Sequence, residues 1–143
     1  MDPLKLAALD SDDLAVISAH LQDAVLKVGD MTFLPREKRF ALVVNRYDWE
    51  GDRRELRQRR RTGLHFDRVL KTQRSRIRSD APDAVLNLLA VTFTQTEAPS
   101  GVVTLHFSGG GAVRLEVECL EAAMRDLGPA WETGSRPSHD TQS

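Results

Sequence analysis

The residues best suited to chemistry are arginines. Between Arg53 and Arg78, twenty-six residues carry eleven Lys or Arg against two acids, Glu55 and Asp67, a local charge of +9. The rest of the chain carries nine bases and nineteen acids, so a net charge of −1 conceals a strong separation. Guanidinium groups fork onto phosphate and carboxylate oxygens, and basic runs that displace counterions bind polyanions in a salt-dependent way. The run divides in two. Arg53, Arg54, Arg57, Arg59, Arg60 and Arg61 form a dense cluster with one apolar residue, Leu56, among them. Arg68, Lys71, Arg74, Arg76 and Arg78 lie on and after a β-type segment, where charge marks a solvent face. The first cluster is the candidate anion- or partner-binding site. It reads as a solvated loop, or as a short helix formed on contact, and its strongest rival role is neutralisation by this chain's own acids.

Other reactive groups are scattered. His20, His65, His106 and His139 show neither His-x-x-x-His nor His-Glu-x-x-His spacing. They read as exposed or satisfied side chains. Cys119 stands between a strand and an expected helix, where a thiol can be activated, but Glu116, Glu118 and Glu121 oppose a thiolate. Asp48, Glu50 and Asp52 alternate beside Trp49 and abut the arginines, so local ion pairing accounts for them. Ser108-Gly109-Gly110-Gly111 lacks the lysine and following helix of a phosphate loop and reads as a hairpin turn. No catalytic residue, metal site or cofactor is expected from these patterns.

The elements that must position these groups are mostly strands. Leu4–Leu9 is a first strand. Asp10 to Asp13 starts a helix over 14–22 whose apolar face is Leu14, Ile17 and Leu21. Strands follow around Leu26–Phe33 and along Phe40–Tyr47, which Trp49 extends. Another resumes at Leu64, and a long one covers Ala84–Thr96 with Leu89, Val91 and Phe93 on one face. Val103–Phe107 and Val113–Val117 make the clearest hairpin. Glu121–Leu127 reads as a closing helix, because Leu120, Ala123, Met124 and Leu127 recur at helical spacing before Gly128-Pro129. The expected class is α+β: a mainly antiparallel sheet or partly closed barrel of about six to eight strands with an N-terminal and a C-terminal helix. That element order resembles a pleckstrin-homology-like barrel. One domain is expected over residues 1–131, with a polar, flexible tail over 132–143.

Composition narrows the class further. An apolar fraction of 41% and a charged fraction of 29% describe a folded, soluble chain. One cysteine excludes an internal disulfide framework. No signal-peptide pattern and no membrane-length apolar run is read, so a cytoplasmic setting is expected.

Several stretches together, Ile17–Ala24, Arg39–Glu50, Arg60–Val69, Gly109–Cys119 and Leu127–Trp131, resemble an uncharacterised alphaproteobacterial family, domain of unknown function 2948. The resemblance covers nearly the whole chain. It implies a bacterial, cytoplasmic, single-domain protein and brings no activity, cofactor or site residue with it. The functional expectation is a non-enzymatic binding or adapter domain that presents the arginine cluster to an acidic protein, or to a second copy of itself as a homodimer. The alternatives are a nucleic-acid-associated protein, which a pI near 6.4 disfavours, and an enzyme or small-ligand protein with a site assembled from scattered residues. No membrane partner is expected.

Overall fold

Alternation of inward and outward side chains builds nearly everything in this chain. The computed structural model describes residues 3–134 and 136–137. Strands β1 (Lys5–Ala8), β2 (Ala24–Lys27), β3 (Met31–Leu34) and β4 (Arg39–Tyr47) are joined by helix α1 (Ser11–His20) and short turns. Helix α2 (Trp49–Asp52) leads to β5 (Gln58–Phe66), β6 (Val69–Ser75), β7 (Val85–Gln95), β8 (Gly101–Phe107), β9 (Ala112–Val117), β10 (Ala122–Asp126) and β11 (Trp131–Glu132). They form one antiparallel sheet in the order β1-β10-β5-β4-β2-β7-β8-β9-β6, with β3 added to β4 and β11 to β5. The sheet is open, with β1 and β6 at its ends. The strand count exceeds the six to eight expected because β6 is separate from β5, residues 122–126 form β10, and the two-residue β11 pairs onto β5.

The inner face encloses one core, contributed by α1 and by every strand from β1 to β10. Asp10 caps α1 by accepting from the Asp13 N–H at 2.8 Å, and Leu14, Ile17 and Leu21 are buried, as their spacing predicts. Each such side chain contributes roughly 1.5–3 kcal/mol through burial. The β8–β9 hairpin also forms as expected. Its turn uses Gly109 and Gly110 at φ 77° and 84°, a region that glycine enters without steric cost.

Four expectations are corrected. Residues 122–126 are a strand, not a helix. Leu120, Ala122, Met124 and Asp126 point inward, and β1 and β5 supply ladder partners on both sides. Pairing on two edges outweighs a helical pattern of this length. The feature behind the pleckstrin-homology comparison, a closing C-terminal helix, is thus absent among the described residues. Second, Trp49 does not extend β4: Asp48 accepts from the Gly51 N–H at 2.9 Å and starts α2. Third, Gln58–Thr62 is no loop but the first half of β5. Finally, β7 buries Leu88 and Val91 rather than Leu89. A bulge between Leu88 and Ala90 shifts the alternation, and the Ser18 hydroxyl of α1 accepts the Val91 N–H there at 2.9 Å.

At one end of the core the inward residues are ionic. The Arg46 guanidinium donates from Nε and Nη2 to the two Asp126 oxygens at 2.9 and 2.8 Å. Thr62 Oγ1 and the Leu4 N–H donate to the same carboxylate at 2.7 and 2.8 Å. Arg60 lies between Asp48 (3.5 Å) and Asp126 (4.0 Å). All four charged side chains are at most 4% exposed, and their charges cancel. Burial alone would push the Asp126 carboxyl up. The hydrogen bonds from Arg46, Leu4 and Thr62 and the Arg46 charge outweigh it and hold that carboxyl below the usual carboxylate range.

Removing one partner of such a pair leaves a buried charge uncompensated. Asp126→Asn should therefore destabilise the fold by about 3–5 kcal/mol in urea unfolding, and Arg46→Met with Asp126→Leu by much less. A depressed folded value makes the Asp126 contribution complete above about pH 4 and progressively lost as pH falls through that value. The gap between wild type and Asp126→Asn should close in that window. A gap of the same size at pH 7 and at pH 2 would contradict the assignment.

Candidate functional site

The six arginines of the candidate cluster do not form one face. Arg53, Arg54 and Arg57 are exposed in the turn between α2 and β5. Arg60 points into the core and is unavailable for contact, because β5 is a strand and alternate residues must face inward. Arg59 and Arg61 take the opposite, outer side. Arg59 is half-buried over the Tyr47 ring at 5.8 Å and donates to the Asn45 carbonyl at 3.0 Å. Burial pushes its guanidinium below the ordinary value, against the charges of Asp23 and Tyr47. Tyr47 itself is raised to about 12 by burial and by the hydrogen bond it donates to Asp52 at 2.7 Å. Arg61 alone of the six is exposed on the sheet surface.

The remaining sequence candidates are structural. Asp48 serves α2 and Arg60, Asp52 takes Tyr47 and Arg136 (3.2 Å), and Glu50 lies 3.7 Å from His20. Burial, then the Arg46 charge, pushes the His20 imidazole down. Glu118 pairs with Lys38 at 2.9 Å, and that hydrogen bond holds its carboxyl below the usual range. His106 shares a hydrogen with Thr92 at 2.9 Å on the solvent side. Cys119 is half-buried before β10. His139 lies outside the described residues.

What the fold does bring together is a trough on the outer face of β1, β10, β5 and β4. Register places Lys5, Arg125, Gly63 and Val43 in one row across these strands, and Ala7, Ala123, His65 and Ala41 in the next. The cavity over these rows measures about 660 Å³, within the range of roughly 300–1,000 Å³ that small-molecule sites occupy. Its floor is small residues. Leu127 makes one wall, and Arg39 stands at the other side.

Its polar groups are nearly all cationic. Arg39 donates to Asp67 at 2.7 and 3.3 Å, a bond that raises its own value further. His65 lies 3.6 Å from the same carboxylate. Lys5 and Arg125 are exposed, stand directly opposite each other on adjacent strands, and form no ion pair among the described residues. Like charges so placed repel. Among the lining residues there is no hydroxyl, thiol or carboxylate. The arrangement can hold an anion and cover an apolar body. It offers no hydroxyl, thiol or carboxylate for covalent or acid–base chemistry.

Gly63 is the informative floor residue. Glycine inside a strand costs about 0.5–1 kcal/mol, and its usual reasons are a bulge or a close approach of another group. Neither applies within this chain. The three atoms nearest a Cβ at Gly63 would be Leu127 side-chain carbons at 3.5–3.7 Å, an ordinary contact. Gly101 is the contrast, since a Cβ there would lie 2.5 Å from the Thr94 carbonyl oxygen and 2.6 Å from the Phe93 ring. Gly63→Ala should leave stability unchanged or raise it by up to about 1 kcal/mol. Gly101→Ala should lower it by more than that. Equal losses in a thermal melt would show that the fold requires Gly63.

The trough escaped the sequence reading because its residues come from four separated strands. Its one local signal was glycine inside the β-type segment of β5. No curated protein and no solved structure matches the chain. A family model does match residues 4–139, nearly the full length and including all four strands of the trough, so the chain belongs to the family described as protein of unknown function (DUF2948).

Proposed function

We propose that this protein is a non-enzymatic binding protein that takes up an anion in the trough, with Lys5 and Arg125 as the seat. The observation that carries the reading is the cross-strand Lys5–Arg125 pair, two exposed like charges side by side beside a glycine floor. The fold gains nothing from that juxtaposition, and a bound anion would convert the repulsion into attraction. The trough has no aromatic side chain except the imidazole of His65, which gives no support to base stacking on a single-stranded nucleic acid. The free Cys119 supports a cytoplasmic setting. Among the described residues no helix is long and apolar enough to cross a membrane.

A second reading, an adapter for an acidic protein or for another copy of the chain, keeps one supporting observation. Arg53, Arg57 and Arg61 are exposed and have no ion pair among the described residues. Yet Arg53 and Arg57 sit in a turn and Arg61 on the sheet surface, and such scattered charges make a poorer seat than two in register.

Arg125→Thr separates the readings. Removing the repulsion should stabilise the ligand-free protein by about 0.2–1 kcal/mol. In wild type, 10 mM inorganic phosphate should raise the melting temperature about 2 °C above chloride at equal ionic strength, and the variant should lose that increment. An increment equal in both proteins would remove the trough as the seat.

A further inference from the structure

The two cations without an ion pair among the described residues, Lys5 and Arg125, occupy the β1–β10 end of the trough, and small and apolar residues make most of the floor beyond them. That division deepens the reading above, on which it rests. We infer that the ligand is an amphipathic organic anion, a carboxylate carrying an apolar chain, with its head between Lys5 and Arg125 and its chain lying across the strands toward Val43. Three observations converge on this class. The row Lys5–Arg125–Gly63–Val43 runs perpendicular to the strands. From Arg125 to Val43 it crosses two strand spacings, about 10 Å, the reach of a chain of about eight carbons. Along that path, no side chain rises from Gly63, and Leu127 lies beside it, its side-chain carbons 3.5–3.7 Å from where a Cβ would be. A chain over Gly63 would therefore be flanked by an exposed leucine that is 46% accessible without it. An inorganic anion would use the two cations and leave the cavity's 660 Å³ and its apolar lining unused. Arg39 and His65 are engaged by Asp67, which leaves Lys5 and Arg125 as the pair open to the head group.

Isothermal titration of the intact protein with acetate, hexanoate, octanoate, decanoate, decanol and inorganic phosphate tests the inference. Affinity should rise about threefold to fourfold for each methylene that the floor buries, so octanoate should bind at least tenfold more tightly than acetate or phosphate. Decanol should bind at least tenfold more weakly than decanoate. Lys5→Ser with Arg125→Thr, both at exposed positions, should abolish the preference for decanoate over decanol. Gly63→Val should weaken decanoate at least tenfold while phosphate binding persists. If phosphate and acetate bind as well as decanoate, the chain-binding inference falls and the anion-binding reading stands. If no anion binds, both fall. Sedimentation of the same samples covers the remaining occupant: a dimer that decanoate neither binds nor dissociates would assign the trough to a second copy and overturn the inference.

Discussion

The bidentate pair between Arg46 and Asp126 governs this structure. It joins β4 to β10 across β5, and through the Leu4 N–H it also secures the start of β1. Side chains alternate along a strand, so fixing one inward residue fixes every neighbour's side, and a slip of one position would exchange the faces. Asp126 inward puts Arg125 and Ala123 outward. Arg46 inward puts Val43 outward, and Arg60 with Thr62 inward puts Arg61 and Gly63 outward. The ionic cluster inside thereby sets the composition of the trough outside. Polar groups in a core are costly unless all are paired. Here that sensitivity penalises any register in which the Asp126 carboxylate fails to meet its three donors.

The same cluster explains how the sequence misleads. Gln58 to Thr62 shows no apolar alternation because its inward side chains are Arg60 and Thr62, so a strand carries the composition of a loop. The charge run reads correctly as unusual. Its use is divided among the core (Arg60), a stacked position (Arg59), the sheet surface (Arg61) and a turn (Arg53, Arg54, Arg57), and only register decides which is which. Elements with local signals were legible. The Asp10 cap and the Leu14–Ile17–Leu21 face define α1, and the glycines at 109 and 110 define the β8–β9 turn. β10 was not, because the apolar face of a helix and the inward side of a strand both include Leu120 and Met124, and the deciding fact is the presence of β1 and β5 on either side. The trough was invisible for the same reason: Ala7, Ala41, Gly63 and Ala123 become one floor only after four strands are in register.

Two features of the outer face have no structural benefit of their own: a glycine where the backbone would accept alanine, and two cations set side by side. Each costs a fraction of a kilocalorie to about 1 kcal/mol, a noticeable part of the ~5–15 kcal/mol by which domains are stable. A site built to receive something else accounts for both at once. Its position on β-strands held by a buried ion cluster also makes it rigid, which limits the ordering cost of binding.

Backbone amide chemical shifts, followed by NMR while decanoate is titrated into the protein, test this account most directly. The largest changes should fall at Val43, Gly63, Ala123 and Arg125, with the turn from Arg53 to Arg57 unaffected. Changes concentrated in that turn, or none on the four trough strands, would contradict it.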